Sequence, residues 1–277
     1  MSLPSRKVVA VIGVGGMGLS AARRIARGRL LLLADYSTDT LEAAAQSLRN
    51  DGHDVQTHAI DVSDHASTVA FAQAAAAAGQ IEAVVHTAGV SPVQASGQRV
   101  LDVDLVGTAN LIDAFYAVAI PGMAMVCIAS MAAHLAGPFP ADLETHLATA
   151  PLARLLDHPL VDASPRTAYP LAKRGNILRV QAAAKAWGLK GARINTVSPG
   201  VISTAMGQEE AKGESGAMVR HLVEGSAAGR MGSPEDITDM VEFLVGSRSS
   251  YVSGNDFLVD GGTVSGQRWA PAAAAGA

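Results

Sequence analysis

Short apolar runs rich in Val, Ile and Leu alternate along this chain with longer, Ala-rich helical segments. Runs of the first kind suit strands buried on both faces, and segments of the second kind suit the helices that cover them. The pattern places strands near 7–12, 30–34, 54–59, 81–86, 123–128, 192–197 and 256–259. Helices fall between them near 16–27, 38–50, 64–78, 98–118, 168–187 and 234–246. Such alternation predicts an α/β fold, a doubly wound parallel sheet of about seven strands flanked by helices, with ligands gathered outside the carboxyl ends of the strands. A length of 277 residues suits a single domain spanning 1–277.

Two stretches break the rhythm. Residues 134–167 carry Pro138, Pro140, Pro151, Pro159 and Pro165 around an apolar-periodic stretch from Leu143 to Leu156, too long for an ordinary connection, so a helical insertion is expected there. Residues 203–230 are rich in Gly, Ser, Glu and Met, as expected of a mobile loop covering a site. The tail at 270–277 is given no role.

Composition narrows the picture. Hydrophobic residues make up 49% and aromatics only 4%, which favours tightly packed helices on a sheet over an aromatic-rich sandwich. The formal charge of -4 gives no broad positive field for nucleic acid or an acidic membrane, so the expected partner is a small molecule. Cys127 lies inside an apolar run and is expected to be a buried structural thiol. Arg6 and Lys7 before an apolar stretch imitate a secretion signal, but four glycines between Gly13 and Gly18, then Arg23 and Arg24, interrupt it. Nothing in the sequence matches the run of about 18 apolar residues that a bilayer span needs, and a cytoplasmic protein is expected.

Candidate chemistry begins at the first strand. Gly13, Gly15, Gly16, Met17 and Gly18 lie where that strand meets the first helix, the context in which glycines let a pyrophosphate approach backbone amides at a positive helix end. The second strand ends in Asp35, 17 residues beyond Gly18. A carboxylate there accepts hydrogen bonds from both hydroxyls of an adenosine ribose and repels a 2′-phosphate, which predicts NAD over NADP. The alternative for Asp35 is a turn or capping role before Thr38. Asp61-Val62, after the third strand, is placed to reach the adenine or, equally, to cap the helix that follows.

At the other end of the sheet, Tyr169 and Lys173 are four residues apart on a predicted helix, so they share a face. The ammonium lowers the phenol from its ordinary value of about 10, and a phenol so tuned passes a proton to or from a substrate oxygen near neutral pH. Ser130, at the carboxyl end of an adjacent strand, can hydrogen-bond the same oxygen. Taken alone, the pair would read as a packing residue and a solvated charge, and Ser130 as a loop serine.

With the Gly-rich turn, four further places make the chain resemble the short-chain dehydrogenase/reductase family from Val8 to about Gly262. They are His86-Thr87-Ala88-Gly89, Ser130, Tyr169-Pro-Leu-Ala-Lys173, and Ser198-Pro199-Gly200 with Thr204. The resemblance implies a Rossmann-type sheet, NAD as cofactor, reversible oxidation of a secondary alcohol to a ketone, and a homo-oligomer, dimer or tetramer. It implies that Lys173, besides tuning Tyr169, contacts the nicotinamide ribose. Ile202 and Thr204 would hold the carboxamide, Pro199-Gly200 would turn the chain beneath the ring, and Ala88 and Gly89, beside Thr87, would leave room for the ribose.

Three departures stand out. The Gly-rich turn is one residue shorter than the family's. Asp104-Leu-Val-Gly107 stands where the family carries Asn-x-x-Gly, whose main-chain carbonyl links the Lys to solvent through a water. Asp104 can serve through its own carbonyl, while its carboxylate adds negative charge near Lys173. Ser130 and Tyr169 are 39 residues apart, a much longer span than usual, because the insertion lies between them. That insertion either walls the substrate pocket or replaces the helix-to-helix subunit contact that many relatives use. Met206, Met218, Leu222 and Val223 suggest an apolar or cyclic substrate, hydroxysteroid- or terpenoid-like.

The competing readings are a nucleotide-sugar epimerase or dehydratase, which uses a similar Tyr and Lys, and a non-catalytic NAD-sensing regulator. A metal enzyme is not favoured: the eight histidines are scattered without a close ligand pair and read as surface or loop residues.

Overall fold

The computed structural model describes residues 6–93, 95–213 and 215–269. Seven strands, β1 (Lys7–Ile12), β2 (Leu30–Asp35), β3 (Asp54–Ala59), β4 (Gln80–His86), β5 (Ala124–Ile128), β6 (Arg193–Pro199) and β7 (Asp256–Val259), form one parallel sheet. Their order across it is β3-β2-β1-β4-β5-β6-β7. In chain order the helices are α1 (Gly16–Ile25), α2 (Thr38–Asn50), α3 (His65–Ala78), α4 (Gly97–Val100), α5 (Gly107–Ala117), α6 (Ala132–Leu135), α7 (Ala141–Thr149), α8 (Ala168–Leu189), α9 (Ala205–Lys212), α10 (Gly216–Glu224), α11 (Pro234–Val245) and α12 (Thr263–Trp269).

The two-residue repeat of a strand explains the layers. Val8, Ala10 and Ile12 of β1, with Leu30, Leu32 and Ala34 of β2, point to the face covered by α3, α5 and α8 through Phe71, Phe115 and Trp187. Val9, Val11, Leu31 and Leu33 point to the opposite face, under α1, α2 and α11 through Ile25, Leu48 and Leu244. Fully burying one such Leu or Ile stabilises the fold by about 1.5–3 kcal/mol, and both faces must be apolar because both are covered. The chain runs from β1 outward to β3, then returns to lay β4 on the other side of β1. Loops leaving β1 and β4 therefore diverge, opening a crevice at the carboxyl ends of the strands.

Three expectations about individual elements change. The helix anticipated over 98–118 comprises α4, a π-helical turn at Leu101–Val106, and α5. A π turn accommodates an extra residue per turn, which apolar periodicity does not reveal, and this one carries Asp104. Residues 203–230 are not simply a loop, because α9 and α10 lie within them. Thr204 caps α9, its hydroxyl accepting a hydrogen bond from the Gly207 amide at 3.2 Å. The helix after the Gly-rich turn ends at Ile25, short of 27, with Gly28 in the left-handed region at φ +71°. The tail at 270–277 lies outside the described residues.

The insertion folds as α6, α7 and a 3₁₀ turn at Leu152–Arg154. On α7, Leu143 and Leu147 are buried against Leu105, Leu171 and Leu178. Arg174 of α8 pairs with Glu144 at 2.6 Å, and the Arg179 guanidinium donates to the carbonyls of Leu147 and Ala150, both at 3.1 Å. The insertion therefore lies along α8 and its neighbours.

Candidate active site

At the carboxyl ends of the strands, two hollows of about 520 and 200 Å³ share Met17, Thr87, Gly89, Val90, Thr204 and Met206, forming one crevice. The larger is lined by the Gly-rich turn, Asp35, Asp61, Val62 and Ala88. The smaller is lined by Asp104, Ser130, Tyr169, Lys173, Pro199, Gly200 and Ile202. Every site residue read from the sequence thus borders this crevice, and none of residues 134–167 does.

Close packing sets the Gly-rich turn. Gly13 has φ +89°, and a side chain there would strike the backbone of Thr87 and Ala88. A Cβ on Gly18 would collide with the Gly13 carbonyl. Gly15, by contrast, has open space where its side chain would be and forms the N-cap of α1 without a side-chain cap. The turn is pinned to β4 by Thr87, whose hydroxyl donates to the Gly13 carbonyl at 2.8 Å. Free first-turn amides beside a glycine with no obstruction make a cradle for an anion, which fits a pyrophosphate.

The Asp35 carboxylate accepts hydrogen bonds from the Val14 amide at 2.8 Å and the Ser37 amide at 2.9 Å. Ser37, not Asp35, caps α2. Asp61 likewise does not cap α3, a role taken by Asp64. It instead accepts hydrogen bonds from the amide and hydroxyl of Ser63, at 2.9 and 2.6 Å.

At the other end, α8 carries both Tyr169 and Lys173, with the Lys173 ammonium 5.3 Å from the Tyr169 ring centroid. Ser130 follows β5, its hydroxyl accepting from the Ala132 amide at 3.2 Å. Lys173 is 5% exposed and Asp104 is 0% exposed, and Nζ lies 3.0 Å from Asp104 Oδ2. Burial opposes the charge on Lys173, but Asp104, joined by Tyr169 and Cys127, outweighs it, and the ammonium is held above its ordinary range. Burial pushes the Asp104 carboxyl up, against the pull of Lys173 and of the Val90 amide, which donates to Oδ1 at 2.8 Å. The Asp104 carbonyl, for its part, accepts from the Thr108 hydroxyl at 2.7 Å.

Several structural partners escaped the sequence. His86 is not a surface histidine: it ends β4 and is 1% exposed. Its Nε2 lies 2.9 Å from Thr108 Oγ1. Because that hydroxyl already donates to Asp104, Nε2 carries the proton. Burial, aided by the Lys173 charge, pushes His86 down to about 3, so the ring is neutral at pH 7. His134 on α6 meets Asp256 of β7 at 2.8 Å, and Asp256 also accepts from the hydroxyls of Ser198 and Thr196. This cluster ties the segment after Ser130 to β6 and β7. These contacts join residues more than 20 apart in sequence, so no local motif announces them. Cys127 is buried beneath, and burial pushes its thiol up to about 12. Of the residues behind the apolar-substrate reading, Met206 lines the crevice, whereas Met218 is 62% exposed.

Residues 7–141 match the family model described as short chain dehydrogenase, and residues 161–264 match the one described as enoyl-(acyl carrier protein) reductase. A short-chain dehydrogenase/reductase of Alternaria brassicicola is 36% identical over 264 residues, covering 94% of this chain and 96% of that protein. The 2-(S)-hydroxypropyl-CoM dehydrogenase 3 of Xanthobacter autotrophicus is 31% identical, with 92% of this chain and 96% of that protein covered. Among solved structures, a short-chain type dehydrogenase/reductase from Mycobacterium ulcerans shares the fold, with a TM-score of 0.75, 22% identity, and 95% and 91% of the two chains covered. These matches favour neither an epimerase nor a cofactor sensor. The two models, the extent of the relatives and the geometry of the crevice converge: this chain is a member of the short-chain dehydrogenase/reductase family of oxidoreductases.

Proposed function

We propose that the protein transfers hydride between NAD(H) and a secondary alcohol or its ketone. The observation that carries this reading is the opening of Ser130, Tyr169 and Lys173 onto the same crevice as the Gly-rich turn and Asp35. The nicotinamide, when bound, supplies or accepts the hydride. In this reading Gly13, Gly15, Gly16, Met17 and Gly18 receive the pyrophosphate, and Asp35, held by two amides, receives the ribose hydroxyls. A fixed carboxylate is a poor host for a 2′-phosphate, which favours NAD over NADP. Lys173 reaches the second ribose, while Thr87, Ala88 and Gly89 leave it space. Pro199, Gly200, Ile202 and Thr204 border the carboxamide.

Tyr169 acts as the proton carrier, giving its phenolic proton to the ketone oxygen during reduction and taking it back during oxidation. Ser130 donates a hydrogen bond to that oxygen and fixes its line of approach. Asp104 sets the charge that Lys173 presents to the phenol. Val90, Met131, Val201 and Met206 give the substrate end an apolar lining, which supports an apolar or cyclic alcohol. The relative named for a 2-hydroxypropyl group acts on a secondary alcohol by that name, which supports a secondary alcohol here and is silent on a cyclic one.

The buried thiol, and the absence among the described residues of a helix long and apolar enough to cross a membrane, accord with a cytoplasmic enzyme. Because α7 occupies the flank of α8, we place any homo-oligomer contact, dimeric or tetrameric, elsewhere on the molecule. The test is turnover against a panel of secondary alcohols and ketones with each dinucleotide. Oxidation and reduction of apolar cyclic members with NAD(H), and weaker use of NADP(H), are expected. No turnover across the panel, or a preference for NADP(H), would contradict the reading.

A further inference from the structure

Two segments line the smaller hollow side by side: Ser130 and Met131, which follow β5, and Pro199 and Gly200, at the end of β6. Main-chain bonds join them, the Ala129 amide donating to the Val197 carbonyl and the Met131 amide to the Pro199 carbonyl, both at 2.8 Å. A single carboxylate joins them a second time. Asp256 of β7, its side chain 8% exposed, accepts from Thr196 Oγ1 at 2.7 Å and from Ser198 Oγ at 2.8 Å, both on β6. His134 Nε2 lies 2.8 Å from Asp256 Oδ2, and because a carboxylate only accepts, that nitrogen carries the proton. Three donors from two segments thus converge on two oxygens, an arrangement that a carboxylate can serve and the lone oxygen of an amide cannot.

His134 belongs to α6, a single turn of four residues that does not hold its shape unaided. Ser130 is built into the start of that turn: its hydroxyl accepts from the Ala132 amide at 3.2 Å and its carbonyl from the Ala133 amide at 3.1 Å. On one side the turn rests on an apolar contact, Ala133 with Ala129 and Ile177 of α8. Such a contact is non-directional, so it fixes the depth of the turn but not its rotation. The bond from imidazole to carboxylate is directional and fixes the rest.

We propose that His134 and Asp256 form a clamp that positions the Ser130 hydroxyl against the Pro199–Gly200 floor, where substrate oxygen and nicotinamide must meet. This rests on the reading of the crevice as a hydride-transfer site and adds to it two residues that touch neither substrate nor cofactor. Reacting atoms must come within about 3–3.5 Å, and a misplacement of about 1 Å costs on the order of 10²-fold in rate, so a clamp one turn away from the serine bears on turnover.

The experiment is single-turnover NADH formation by the full chain with the fastest member of the secondary-alcohol panel, read so that slow variants remain measurable, together with calorimetric titration of NAD. His134→Leu should slow the hydride step by about tenfold while NAD binding stays within about twofold. His134 is 26% exposed at its side chain, so the fold tolerates this change. His134→Gln, which keeps a donor near the place of Nε2, should recover most of the rate. In a Ser130→Ala background His134→Leu should cost nothing further, because the clamp works through that hydroxyl. The proposal is overturned if His134→Leu leaves the rate unchanged, if His134→Gln is as slow as His134→Leu, or if the loss persists undiminished without the Ser130 hydroxyl. Should the unsubstituted chain oxidise no alcohol, the hydride-transfer reading falls and the clamp with it; turnover insensitive to His134→Leu removes the clamp alone.

Discussion

Tyr169 works in the field of a buried ammonium that already has a carboxylate 3.0 Å away. The Asp104 carboxylate offsets part of the positive potential that Lys173 would otherwise present to the phenol. Asp104→Asn removes the negative charge and keeps the shape. If alcohol oxidation starts from the phenolate, as proposed, the rise of kcat/KM with pH should then move to lower pH. An unmoved profile would mean that Asp104 serves only through its main chain, whose carbonyl is already bonded to Thr108.

His86 gives a second prediction at this scale. Its pKa falls from about 6.5 unfolded to about 3 folded, so the unfolded chain binds the extra proton within that window. Stability is therefore fully present above about pH 6.5 and is lost as the pH falls toward 3, at about 1.4 kcal/mol per unit. His86→Gln keeps a donor for Thr108 but does not titrate. Between pH 7 and pH 5, denaturant unfolding should show the unsubstituted chain losing about 2 kcal/mol more than this variant, and equal losses would contradict the burial argument.

Among the elements, α8 does two jobs with two faces. One holds Tyr169 and Lys173 at the crevice, and the other receives α7 of the insertion through Leu147, Glu144 and the carbonyls bonded to Arg179. Leu147→Ala should cost about 3 kcal/mol of stability, measured by denaturant unfolding, because a buried cavity opens beside Leu105 and Leu171. Its KM should stay near that of the unsubstituted enzyme, since none of residues 134–167 lines the crevice. A large change in KM with little change in stability would place the insertion at the substrate after all. The insertion was legible as a helical excursion from its prolines and apolar spacing, but its resting place was not. Nothing in the run from Leu143 to Leu156 specifies whether its apolar side meets α8 or a ligand. The π turn at Asp104 was invisible for a related reason, because one added residue in a helical run leaves the surrounding apolar spacing almost intact.

At the scale of the molecule, strand positions could be read because the runs of β1, β2, β4 and β5 are apolar on both faces and bounded by turn residues, and the parallel order followed from the helices between them. The candidate residues could be read because topology brings the ends of β1, β4, β5 and β6 to one crevice. The sequence concealed what supports them: His86 behind Asp104 and Asp256 behind Ser198 both join distant segments. One measurement bears most directly on the central claim that Tyr169 carries the proton for hydride transfer. Tyr169→Phe should bind NAD within about threefold of the unsubstituted enzyme while its turnover of a secondary alcohol falls by roughly 10²–10⁴ or more, the range for loss of a general acid–base group. Near-normal turnover with intact NAD binding would contradict the account.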